Sequence, residues 1–76
     1  MTILELKNHL SKLIGYVTFE YNGYSCGVDA LGLNSFDMWY GDNEMTVESV
    51  EDVLDTKFFD GRSLTEIWND VTELDY

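Results

Sequence analysis

Ile3, Leu6, Leu10, Leu13 and Ile14 recur at the spacing of one helical face, with Glu5, Lys7, Asn8 and Lys12 between them. Thr2 and Glu5 form a T-x-x-E capping box at the head of this run, and Gly15 suits the left-handed residue that ends a helix. His9 falls beside the stripe, next to Leu6 and Leu13. The pattern then changes period. Val17, Phe19 and Tyr21 alternate with Tyr16, Thr18 and Glu20, and Asn22-Gly23 supplies the pair best suited to a type I′ turn. With those two as the loop, Tyr21 faces Tyr24, Phe19 faces Cys26 and Val17 faces Val28. Residues 16–29 therefore read as a β-hairpin whose six paired residues share one face, a match that a slip of one would destroy.

Residues 30–35 read as a loop, 36–40 as a third strand, and Gly41-Asp42-Asn43 as a turn; Glu44 to Val47 is a candidate fourth strand. Val47, Val50, Val53 and Leu54 make a short helical stripe with Ser49 or Thr46 as cap. After a turn at Asp60-Gly61, Ser63 and Glu66 form a second capping box. It opens a helix whose apolar side is Leu64, Ile67, Trp68, Val71 and Leu74. The expected fold is α+β in one domain, residues 1–76. An N-terminal helix precedes a three- or four-stranded antiparallel meander, and two C-terminal helices pack on one sheet face.

A 76-residue chain buries a modest core, and small domains often add disulfides or a metal. Here one cysteine excludes an internal bridge, and one histidine is too little for a zinc site. The composition, 45% hydrophobic with two Trp, five Tyr and four Phe, argues against disorder. No basic leader followed by an apolar run and no membrane-length apolar window occurs, so a cytoplasmic setting is expected.

Charge is the outlier. Fifteen acids face four bases, a net −11. Residues 1–28 balance, with Glu5 and Glu20 against Lys7 and Lys12. All the excess lies in residues 29–76, where Lys57 and Arg62 stand alone against the acids. Such a chain repels nucleic acid and anionic membranes and attracts basic proteins. On a helical wheel Glu48, Glu51, Asp52 and Asp55 lie away from Val50, Val53 and Leu54. Glu66, Asp70 and Glu73 form a stripe opposite Leu64, Trp68 and Val71. Lysines that would relieve this crowding at i+4 are almost lacking, so the carboxyls are expected to have raised pKa values. These stripes are either ordinary solvated faces or dense anions that imitate nucleic-acid phosphates.

A second surface emerges from the alternation of the strands. If Phe19, Cys26 and Met38 point inward, the opposite face carries Tyr16, Thr18, Glu20, Ser25, Asp29, Asp37 and Trp39. Trp39 is then an exposed aromatic anchor, unless the 30–35 loop or a helix covers it. Catalytic chemistry finds little support. Cys26 and His9 are the sole nucleophile–base pair, and an inward Cys26 on a hairpin behaves as a small apolar residue. The acids around Asp42, Glu44 and Glu48 lack the spacing of a calcium loop, so no metal or other cofactor is expected.

Tyr21 to Asp29 with Phe36 to Asp42, and Phe59 to Trp68, resemble small acidic proteins of phages and mobile elements in Gram-positive bacteria. That resemblance implies no activity. In size and charge the chain is also similar to inhibitors that imitate DNA. The expectation is a non-enzymatic interaction protein that presents acids to a basic protein, in its most concrete form as a nucleic-acid-mimicking inhibitor of a nucleic-acid-binding enzyme. Glu48, Glu51, Asp52, Asp55, Glu66, Asp70 and Glu73 would make the charged contacts and Trp39 the anchor. The alternative is an accessory or structural subunit binding through an apolar patch around Trp39 or Trp68, with acids serving solubility. Direct contact with nucleic acid or membrane is expected under neither, and no oligomeric state is implied.

Overall fold

The turn at Asn22-Gly23 sets the register of the sheet. Both residues take the positive φ of a type I′ turn, 55° and 82°, which brings Tyr21 opposite Tyr24. The computed structural model describes residues 1–12 and 15–76. Strands β1 (Tyr16–Tyr21) and β2 (Tyr24–Gly32) pair with Phe19 opposite Cys26 and Val17 opposite Val28, the register expected from the alternation. β3 (Ser35–Tyr40) pairs with β2 through Val28–Met38 and Gly27–Trp39, and β4 (Asn43–Val47) pairs with β3. All pairings are antiparallel, and a fifth strand, β5 (Thr72–Asp75), closes the order β4-β3-β2-β1-β5.

Among the described residues three α-helices accompany the sheet: α1 (Ile3–Ser11), α2 (Val50–Asp55) and α3 (Leu64–Ile67). Each has a side-chain N-cap. Thr2 and Glu5 exchange hydrogen bonds of 3.1 and 2.9 Å, Ser49 accepts from the Asp52 amide, and Ser63 and Glu66 form the second capping box. Leu13 and Ile14, assigned above to the first apolar stripe, lie outside the described residues.

Leu6 and Leu10 of α1, Val53 and Leu54 of α2, and Leu64 and Ile67 of α3 join one buried cluster. Val17, Phe19, Cys26, Val28, Phe36, Met38, Tyr40 and Val47 complete it from the strands. These strand residues all belong to one face of the pleat. Phe19 sits near its centre, its ring 5.9 Å from Phe59 and 5.8 Å from Trp68. Trp68 is itself 6% exposed and donates its indole N–H to the Met1 carbonyl at 2.9 Å, which ties the two ends of the chain.

Two expectations are corrected. The 30–35 stretch is no loop: β2 runs on to Gly32 and β3 starts at Ser35, with a register shift that absorbs the extra residue. The last helix does not reach Leu74. It tightens into a 3-10 turn at Trp68–Asp70, and Val71 turns extended. Asn69 and Asp70 are poor helix formers, an aspartate at a helix C-terminus opposes the dipole, and Val71-Thr72 favours extended backbone. The free edge of β1 then rewards pairing: Thr18 faces Asp75 and Glu20 faces Thr72.

Removing the central ring tests this core. Phe19→Ala should cost about 3–5 kcal/mol in chemical denaturation, comparable to the whole stability of a domain this small. A loss below about 1 kcal/mol would show that Phe19 does not organise the core.

Candidate functional site

Strand alternation sends every second side chain away from the buried cluster, and register assembles those residues into three rows. One row runs Tyr16, Asp29, Asp37, Thr46 across β1 to β4. The middle row runs Asp75, Thr18, Gly27, Trp39, Glu44 across all five strands. The third holds Thr72, Glu20 and Ser25. Adjacent members of a row stand one strand spacing apart, roughly 4.8 Å. Among the described residues five strand carboxylates thus share this face, and no strand contains a lysine, arginine or histidine.

Trp39 occupies the middle. A Cβ at Gly27 would lie 2.2 Å from the Trp39 ring, so the indole is laid across the bare backbone of its cross-strand partner. The absence of a side chain at Gly27 makes that seat, and burial of the glycine by the ring offsets a residue that otherwise weakens a strand. Trp39 is half-buried by this contact, on the face opposite the cluster. The covering loop proposed for it is instead part of the β2–β3 hairpin.

Asp29 and Asp37 face one another directly. Like charges in that position destabilise a sheet. The Thr46 hydroxyl offers Asp37 a long contact at 3.4 Å, and among the described residues the one ion pair is elsewhere, between Lys57 and Glu66.

The acids chosen from helical periodicity fare differently. Glu48, Glu51, Asp52 and Asp55 are exposed along and just before α2, where Glu51 and Asp52 also favour the first-turn dipole. Glu66, Asp70 and Glu73 do not form a stripe. Glu66 is the third residue of a capping box and pairs with Lys57, Asp70 ends the 3-10 turn, and Glu73 lies in β5 at φ 53°. The hydrogen bond from Lys57, with that from the Ser63 amide, lowers the Glu66 pKa to about 2. Repulsion was expected to raise it. The alternation of the strands names Tyr16, Thr18, Glu20, Ser25, Asp29, Asp37 and Trp39 on the condition that Phe19, Cys26 and Met38 point inward, and the pairing of Val28 with Met38 meets it. Glu44 was missed, although a two-residue turn at Gly41-Asp42 would have set it opposite Trp39. Asp75 was hidden by the helical reading of residues 72–75.

Cys26 is buried, donates to the Tyr24 carbonyl, and has its thiol pushed up to about 11, chiefly by desolvation. It is a neutral core residue at pH 7. His9 instead stands 3.5 Å from the Tyr16 carbonyl, with its ring edge-on to Tyr76. Among the described residues no group of three His, Cys, Asp or Glu side chains is placed to hold a metal ion. Trp68, named with Trp39 for an apolar patch, belongs to the core.

No protein-family model matches the chain, and no curated protein or solved structure is similar to it.

Two measurements probe the site's electrostatics. Asp37→Asn removes the opposed pair and should stabilise the fold by about 0.2–1 kcal/mol in thermal or urea melts; a lower melting temperature would contradict the repulsion. The second concerns Glu66. Its folded pKa lies below the ordinary 4.5, so its contribution is full above that value and is lost as pH falls towards about 2. Glu66→Gln keeps the capping geometry and loses the charge. Its stability deficit relative to wild type should therefore narrow from pH 7 to pH 2.5, whereas a constant deficit would assign the effect to something other than ionisation.

Proposed function

We propose that this protein is a non-enzymatic interaction module that presents an acidic sheet face to a basic partner protein. The observation that carries the reading is the opposed Asp29–Asp37 pair beside Trp39, on a face to which, among the described residues, the strands contribute no cation. Unrelieved repulsion lowers the stability of the free protein and is relieved when cations arrive. Trp39 adds a broad, rigid surface on which a guanidinium or an apolar side chain can stack. A partner that binds nucleic acid is one member of this class, with the carboxylates in place of phosphates. Dispersal of Glu66, Asp70 and Glu73 moves the weight of the proposal from the helices to the sheet.

A second reading has support in Leu31 and Leu33, which are 61% and 75% exposed at the β2–β3 hairpin. They would let the protein act as an accessory subunit that binds through apolar contacts, its acids serving solubility. Under either reading the protein works in the cytoplasm, where its single cysteine stays reduced. No helix of the described residues is long and apolar enough to cross a membrane.

Charge reversal separates these readings. Glu20→Lys, Asp37→Lys and Glu44→Lys together should abolish partner capture from lysate, and wild-type complexes should elute on a rising salt gradient. The same reversal at Glu51, Asp52 and Asp55 should leave most capture intact. Capture that is insensitive to salt and to the sheet-face substitutions but lost in Leu31→Ser, Leu33→Ser would establish the apolar reading instead.

A further inference from the structure

The sheet has two unequal edges. β5 spans four residues, and its pairing with β1 breaks register between Thr18 and Glu20, with Glu73 in left-handed backbone. Irregularity of this kind blunts an edge against further pairing. β4 has no such protection. It pairs with β3 in unbroken register from Tyr40–Asn43 to Phe36–Val47 and contains neither proline nor lysine.

Hydrogen-bond phase identifies what that edge offers. The Gly41 amide donates to Ser25 at 2.8 Å, so odd-numbered residues at this end of β3 turn their backbone towards β2. Tyr40, Met38 and Phe36 then bond β4 through Asn43, Met45 and Val47. Glu44 and Thr46 consequently direct their N–H and C=O groups outward. Their side chains lie on the same face as Trp39 and Asp37, their direct partners across β3.

We propose that β4 accepts an extended, basic segment of a partner protein as a sixth strand. This rests on the sheet-face reading given above. Main-chain bonds to Glu44 and Thr46 would hold the segment, and its alternate side chains would extend the rows that end at Glu44 and Thr46. A cation opposite Glu44 makes a favourable cross-strand pair beside the Trp39 ring, and one opposite Thr46 reaches towards Asp37. A second copy is a poorer occupant: pairing β4 with itself brings together two chains of net −11 along an edge that carries Glu44 and leads into Glu48.

The probe is a ten-residue peptide alternating threonine and arginine, titrated at low salt into isotopically labelled protein. Binding should slow solvent exchange of the Glu44 and Thr46 amides. Thr46→Pro deletes an N–H that the fold does not use and should weaken binding at least about fivefold, the effect of one lost backbone hydrogen bond. The same peptide with alternate backbone amides N-methylated keeps its charge and should bind as poorly, which tests strand addition independently of the variant's folding. Salt-sensitive binding that leaves both amides exchanging, and is indifferent to N-methylation, would overturn the edge proposal while the acidic-face reading stands. Failure of the unmodified peptide to bind wild type would overturn both. A dimer that protects Glu44 and Thr46 without peptide would give the edge to a second copy and overturn the proposal.

Discussion

Burial of one sheet face, and only one, is the constraint from which the rest follows. The strands pleat with period two, so placing Val17, Phe19, Cys26, Val28, Phe36 and Met38 in the buried cluster sends the intervening residues to the opposite face. No disulfide is available to reinforce the domain, and the chain is short. Its stability therefore depends on this cluster, with the Phe19 ring against both Phe59 and Trp68 and Trp68 bonded to the first residue. A sheet so anchored fixes the positions of the residues on its outer face, where the Trp39 ring lies on Gly27.

That rigidity gives the charge its meaning. Carboxylates on flexible loops move apart, whereas Asp29 and Asp37 are held opposite one another by the ladder between β2 and β3. Trp39 is fixed in the same way, since Gly27 leaves room for the ring to lie flat and a larger residue there would lift it. Acid elsewhere in the molecule has local work. Glu5 and Glu66 close capping boxes, and both have lowered pKa values through those hydrogen bonds, with Lys57 the leading cause at Glu66. Net charge alone would have treated these groups as equivalent to those on the sheet.

Much of the fold was legible in the chain. Local rules with strong geometric demands succeeded: both capping boxes, the Asn22-Gly23 turn and the β1–β2 register, with Ser49 rather than Thr46 capping α2. What failed were segments whose local preference is weak. Residues 30–35 look like a loop through Gly32 and Asn34, yet β2 and β3 extend into them because adjacent backbone is there to pair. Residues 71–74 fit a helix through Val71 and Leu74, a spacing too short to distinguish helix from strand.

The sequence by itself determined where the capped helices begin and how the first hairpin is registered and faced, because caps, turns and alternation act over a few residues. The pairing of Trp39 with Gly27, by contrast, set that ring among the acids. Tertiary structure alone decided that the chain's last residues become β5, that Glu66, Asp70 and Glu73 separate, and that β4 remains an open edge. Those outcomes depend on unpaired backbone groups of strands distant in the chain, and a hydrogen bond between distant strands leaves no periodic mark in either.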